Sequence, residues 1–204
     1  MLYTQAISTG TIKLLEKISS IPELNGFNLA GGTALALQLG HRISFDLDFF
    51  GDREFTTQEI IDLLGDCGSL KVISQSKNIL IFNIQDVKVD FVNYRYPLLT
   101  KPHIESGLRL LKPEDIAAMK LAAIAGRGRM RDFYDLYFLL KIFSLRQMLD
   151  FYNNKYEDGS ELMVARSLTF FDDANQDENP RLIQESIEWE IIKKDILTEV
   201  RKLF

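Results

Sequence analysis

Two acids one residue apart, Asp46-Leu47-Asp48, stand in an apolar stretch running from Ile43 to Phe50. Read as a strand, the stretch puts both carboxylates on one face, roughly 7 Å apart along the chain. Uncompensated charge among apolar residues is costly, and a divalent cation is one way to compensate it. Oxygen donors with no adjacent His or Cys ligand set suit Mg²⁺ or Mn²⁺. Two such ions about 4 Å apart can clamp the attacking and leaving oxygens of a phosphoryl transfer. Asp90, flanked by Val89 and Phe91, offers a third carboxylate if the strands around residues 43–50 and 87–94 are neighbours. Ordinary ion pairs with Arg42, Arg53 or Lys88 are the alternative.

Upstream lies Gly31-Gly32-Thr33, after the short apolar run Phe27 to Ala30 and before the helix formers Ala34 to Leu39. A glycine turn that opens a helix exposes backbone N–H groups at a positive helix end, which suits phosphate. A tight turn with Thr33 as a plain helix cap is the alternative. No Walker-type lysine and no Gly-x-Gly-x-x-Gly pattern accompany it. The informative feature is the order: strand, Gly-Gly-Thr, helix, then a strand carrying Asp-x-Asp.

The elements that must position these residues are readable in outline. Ile12, Leu15 and Ile18 predict a helix over Thr11 to Ile18. The alternation from Ile43 to Phe50 sets Phe45, Leu47 and Phe49 on one face and Ser44, Asp46, Asp48 and Phe50 on the other. Thr56 and Glu59 form a capping box ahead of Ile60, Ile61, Leu63 and Leu64. Leu70 to Gln75, Ile79 to Ile84 and Val87 to Tyr94 read as an antiparallel meander, because only Lys77-Asn78 and Gln85-Asp86 separate them. Beyond Pro97 and Pro102 the pattern turns helical. Glu114-Asp115 suits a first helical turn. Gly126-Arg127-Gly128-Arg129 interrupts the helical run, and Phe133, Leu136, Tyr137 and Leu140 form a stripe after it. A domain of residues 1–105 and a helical domain of 106–204 completing the active-site cleft are expected.

With 204 residues, a net charge of −5, one cysteine and two histidines, an intrachain disulfide, a zinc framework and a His-based metal cluster are excluded. No apolar run reaches membrane-spanning length, and the first twenty residues do not read as a signal peptide, so a cytoplasmic protein is expected. An acidic chain is not an obvious nucleic-acid binder. Basic residues do gather locally at Lys112, Lys120, Arg127, Arg129 and Arg131.

The stretch from Leu29 through Gly31-Gly32-Thr33 to Asp46-Leu-Asp48-Phe-Phe50 resembles the AbiEii/AbiGii-type nucleotidyltransferases. These are toxins of type IV toxin–antitoxin and abortive-infection systems, within the DNA polymerase β-like superfamily. Its signature of Gly-Ser/Thr, a gap and Asp-x-Asp is matched by Gly32-Thr33 and Asp46-x-Asp48. Lys88-Val-Asp90-Phe resembles the next motif, Lys120 in Met119-Lys-Leu-Ala-Ala the helix lysine that contacts nucleotide, and Arg131-Asp132-Phe-Tyr-Asp135-Leu the last motif. Ser167 to Ala174, Trp189 and Lys193 also look like members of the group.

The resemblance implies an α+β fold: a polymerase β-like mixed sheet with flanking helices, followed by a helical C-terminal region. It implies Mg²⁺- or Mn²⁺-dependent transfer of a nucleotide from a nucleoside triphosphate to an acceptor hydroxyl, with RNA and its tRNA 3′ end as acceptor, and a cognate antitoxin as partner. Nucleotidylation of a protein, or a non-catalytic nucleotide- or partner-binding module, are the other readings. On this basis Asp46 and Asp48 are metal ligands, and Asp90 is the third ligand or the base toward the acceptor. Gly31, Gly32 and Thr33 hold the triphosphate, and Lys120 neutralises phosphate charge. Arg42, Arg131, Asp132 and Asp135 complete the nucleotide site. For Asp132 a helix cap, and for Arg42 a pairing with Asp46, are equal alternatives. His41 reads as a loop residue, Arg127 and Arg129 as a solvated loop that could grip an RNA backbone, and Trp189 as core.

Overall fold

A computed structural model describes residues 1–184 and 186–203. By internal contacts the chain divides into two compact units. The first comprises Met1–Gly40, Ser44–Tyr96 and Lys101–Leu111; the second comprises His41–Ile43, Pro97–Thr100 and the chain from Lys112 onward.

The first unit is built on a mixed seven-stranded sheet. Its elements are α1 (Thr9–Ser19), β1 (Asn28–Leu29), α2 (Gly31–Leu39), β2 (Leu47–Gly51), α3 (Thr57–Leu64), β3 (Leu70–Gln75), β4 (Ile79–Ile84), β5 (Val87–Asn93), β6 (His103–Glu105) and β7 (Leu108–Leu110), and the strand order is β3-β4-β5-β2-β1-β7-β6. The meander β3–β4–β5 is antiparallel, as its two-residue connections predict. Gln85 and Asp86 both take positive φ, 51° and 64°, the geometry that a two-residue hairpin turn requires. The capping box of Thr56 and Glu59 starts α3. α1 packs against β7, α2 against β2 and α3 against β3.

The centre of the sheet fixes the register that matters. β2 and β5 run parallel, and Leu47, Asp48 and Phe49 lie opposite Val89, Asp90 and Phe91. Leu47, Phe49, Val89 and Phe91 are buried, joined by Leu80 and Phe82 of β4. Phe49 stacks on Phe91 with centroids 5.1 Å apart, and Phe27 meets Phe91 edge-on at 5.2 Å. A slip of one residue would turn all of these rings to the wrong face. The apolar face therefore holds Asp48 and Asp90 side by side on the other face.

Three expectations change. The strand expected from Ile43 begins only at Leu47. Ser44 donates its N–H to the Ala6 carbonyl and is buried, while Phe45 is 68% exposed rather than on the core face. The alternation fails there because the backbone binds the short 3-10 turn Thr4–Ala6 instead of a ladder strand. The second helix starts at Gly31, with Ala30 in the capping position, so Thr33 lies inside the first turn and does not cap it. The hairpin β6–β7, unforeseen in the sequence, adds two edge strands. β7 pairs parallel to β1 through Leu29 and Leu110.

The second unit is helical: α4 (Pro113–Gly126), α5 (Met130–Leu140), α6 (Leu145–Lys155), α7 (Glu161–Ser167) and α8 (Trp189–Arg201). Trp189 stacks on Tyr134 and meets Phe133 and Phe171 at their edges. Asp115 lies in the first turn of α4, as the sequence suggests, and is fully buried. It accepts from the N–H groups of Leu99 and Thr100, the Thr100 hydroxyl and Lys155, whose ammonium also donates to the Pro97 carbonyl. Both charges are buried, and the pair is tolerated because its hydrogen-bonding groups are satisfied. No helix among the described residues is long and apolar enough to cross a membrane.

Candidate active site

In the first unit the glycine turn and the carboxylates are adjacent. Gly31 has φ +63°, and a Cβ built on it would lie 2.5 Å from Asp48 Oδ2. Only glycine permits both the left-handed backbone and this approach. The helical hydrogen-bond ladder of α2 begins with Ala34 N–H donating to the Ala30 carbonyl, so the N–H groups of Gly31, Gly32 and Thr33 lie outside it, at the positive end of the helix dipole. Thr33 is buried. Its hydroxyl lies 2.8 Å from Ser44 Oγ and donates to the carbonyl of Asp46, so its side chain pins the loop that leads into the Asp-x-Asp pair.

Asp48 and Asp90 are directly opposed on neighbouring strands, whose spacing is about 4.8 Å. Both are half-buried. Lys88 donates to Asp90 Oδ2 at 2.6 Å, while Asp90 Oδ1 is buried with no hydrogen-bond partner. Two opposed carboxylates repel each other, and a buried oxygen without a donor is costly. A hard cation would relieve both, so the all-oxygen donor set fits Mg²⁺ or Mn²⁺. Asp46, also half-buried, precedes β2. Among the described residues no group of three or more His, Cys, Asp or Glu side chains is gathered as a preassembled metal site. The structure thus brings together Asp48 and Asp90 and does not draw Asp46 into one cluster with them.

Replacing Gly31 by Ala is expected to destabilise the fold by about 1–3 kcal/mol, the usual cost of a side chain forced into a left-handed position, and to push Asp48 out of place. Thermal melts with and without Mg²⁺ check this: the variant should melt lower and lose most of any Mg²⁺-induced rise.

In the second unit Arg42, Lys120, Asp132 and Asp135 form one buried charge network. Asp135 is fully buried. Its Oδ1 accepts from His41 Nε2 at 2.8 Å and Arg42 Nε at 2.6 Å, and its Oδ2 from Arg42 at 2.9 Å and Lys120 at 2.6 Å. Lys120 also donates to Asp132 Oδ1 at 2.8 Å, and Asp132 receives Arg127 at 3.0 Å. Arg42, then, pairs with Asp135. Its backbone bridges to Leu182, flanked by bonds from Ile43 to Arg181 and from Ile183 to His41. Arg131 is exposed on α5. Arg129 pairs with Asp177.

Burial pushes the Asp135 carboxyl up, but Arg42, Lys120 and the hydrogen bonds from His41 and Arg42 outweigh it and hold the group well below the usual carboxylate range. Burial likewise raises Asp132, and Lys120 and Arg127 override it, leaving that carboxyl lowered. His41 is lowered by burial, against the opposing pull of Asp135. The neutral ring donates from Nε2, and its buried Nδ1 has no partner. Sequence reading placed His41 in a loop and missed this role, since a lone His after Gly40 carries no local sign of burial.

The signs give a pH prediction. His41 takes up a proton more readily when unfolded, so its contribution is complete above pH 6.5, the ordinary value, and is lost as pH falls below it. Asp132 and Asp135 stabilise above about 3.8, and their share is lost further down as pH falls through their lowered values. Urea unfolding from pH 7.5 to 5 should show stability falling with pH, with a shallower fall in His41→Gln.

With this geometry in place, the comparisons decide the family. The model of the AbiEii nucleotidyltransferase toxins of type IV toxin–antitoxin systems matches residues 13–202. The chain belongs to the AbiEii family. A relative, protein aq_aa25 of Aquifex aeolicus, is 36% identical over 196 residues, covering 92% of this chain and 93% of its own. Among solved structures, JHP933 of Helicobacter pylori superposes with a TM-score of 0.59 at 19% identity, covering 100% of this chain and 93% of its own. A second H. pylori protein, described as a nucleotidyltransferase, gives 0.56 at 18%, covering 95% and 91%. At these identities the structural likeness establishes the fold, a mixed sheet with flanking helices. Membership of the AbiEii family makes the chain a nucleotidyltransferase by family and fold.

Proposed function

We propose that this AbiEii-family chain moves a nucleotide from a nucleoside triphosphate to a hydroxyl of RNA, at the tRNA 3′ end, as the toxin of a toxin–antitoxin pair. The observation that carries the reading is the opposition of Asp48 and Asp90 beside the Gly31 turn. Asp48 and Asp90, with Asp46 added on its match to the family's Asp-x-Asp signature, would hold Mg²⁺ or Mn²⁺, which when bound supplies Lewis-acid stabilisation of the phosphoryl oxygens. The N–H groups of Gly31, Gly32 and Thr33 accept the triphosphate. The acceptor oxygen bonds to the α-phosphorus, the bridge from the α-phosphorus to the β-phosphate breaks, and pyrophosphate leaves. The hydroxyl proton passes to a carboxylate, with Asp90 as the candidate. Lys120 is proposed as a phosphate-neutralising cation on its match to the family's helix lysine, and Arg131 on its match to the last motif; Arg42 is proposed as a phosphate contact without such a match. Asp132 and Asp135 act by holding Lys120 and Arg42, not by touching the nucleotide.

The test incubates the protein with each of four α-labelled triphosphates, Mg²⁺, and total RNA or a protein extract, beside Asp46→Ala. Label in RNA that vanishes in the variant is expected. Label in protein alone, or none with any triphosphate, overturns the proposal.

A further inference from the structure

Within the second unit a cleft of about 460 Å³ opens between the α4–α5 break and α7, with Arg127, Arg166, Phe170 and Asp173 in its lining. Arg127 reaches Asp132 with Nε and one terminal nitrogen and leaves its side chain 54% exposed. Arg166, from α7, is exposed, and its guanidinium makes no ion pair among the described residues. The lining thus carries two guanidinium groups and one carboxylate, Asp173; Arg127 is paired with Asp132 but keeps an exposed edge, and Arg166 is the more accessible cation. Gly128, at φ +52°, forms part of the wall where a side chain would be strained. Phe170 is 56% exposed, an apolar ring left in water at the edge of a cationic cleft. Cation and ring together match the repeating chemistry of a nucleotide strand, phosphate and base.

We propose that this cleft binds single-stranded RNA, with Arg127 and Arg166 on successive phosphates and Phe170 stacked on a base. The proposal names where the acceptor strand is held and rests on the RNA-transfer reading above. An apolar protein partner is disfavoured because it would have to desolvate the exposed Arg166 guanidinium, which makes no ion pair among the described residues.

Fluorescence anisotropy with a labelled eight-nucleotide RNA, in EDTA and without triphosphate, isolates binding from chemistry. Phe170→Ala should weaken binding about 5- to 150-fold, the range for loss of one stacked base. Arg166→Gln should lower the slope of log K against log salt by about 0.7, the value for one phosphate on a single strand. Both side chains are exposed, so melting temperatures should stay near wild type and certify folding. Unchanged affinity and slope in both variants overturn the cleft, even if wild type labels RNA; so does a wild type that binds no RNA. Label transfer with Asp46→Ala judges the transfer reading separately, because none of the cleft residues belongs to the proposed metal or triphosphate site.

Discussion

Asp48→Asn should reduce nucleotidyl transfer by a factor of about a thousand or more while leaving the fold intact. Asp48 faces Asp90 across the β2–β5 ladder and touches the Gly31 turn, so on the proposed reading one neutral amide removes a metal donor and one of the three carboxylate charges that would attract the cation. Loss of several kcal/mol of charge stabilisation corresponds to three or more powers of ten in rate. Stability should move the other way. Without metal the wild type bears two opposed like charges, which are destabilising, and Asn relieves them. In EDTA the variant should melt at or above the wild-type temperature; in Mg²⁺ the order should reverse, because only the wild type gains from binding. Single-turnover labelling and paired melts read both halves. A variant that transfers at the wild-type rate would remove Asp48 from the site.

Asp135→Asn should be the most destabilising conservative change in the second unit, by about 3–5 kcal/mol, the cost of breaking a buried pair. The carboxylate is fully buried and serves Arg42, Lys120 and His41 at once. The amide keeps the shape but turns an N–H₂ toward cations and leaves their charge uncompensated. For a chain of this size the melting temperature should fall by on the order of 10 °C. Adding Lys120→Met to Asp135→Asn should cost less than the two single changes summed, because the second removes a cation that the first orphaned. Strict additivity would mean that Lys120 and Asp135 do not depend on each other.

The legible parts of the structure were those set by neighbours in the chain. The meander β3–β5 shows in its alternation and two-residue turns, and α3 in its capping box. The carboxylate face shows because Asp48 and Asp90 each break an apolar alternation. The rest depends on partners far along the chain. Asp115 looks like an ordinary acid of a first helical turn, and its burial is set by Lys155, forty residues on. His41 reads as a loop residue and Arg42 as a phosphate contact or a partner of Asp46, yet the partner of both is Asp135. Phe45 has the period of a core residue and lies outside, because Thr33 and Ala6 capture the backbone around it. The β6–β7 hairpin carried a local signal, the Ser106-Gly107 turn with positive φ at both residues. Its three-residue strands are too short for an alternation to be recognised.

Crystals soaked in Mn²⁺ with a non-hydrolysable triphosphate, measured for anomalous scattering, would examine the core of the account without relying on turnover. An anomalous peak coordinated by Asp48 and Asp90, with triphosphate oxygens beside the N–H groups of Gly31 and Gly32, is the predicted result. Triphosphate bound elsewhere, or bound at the glycine turn with no manganese against either carboxylate, would contradict it.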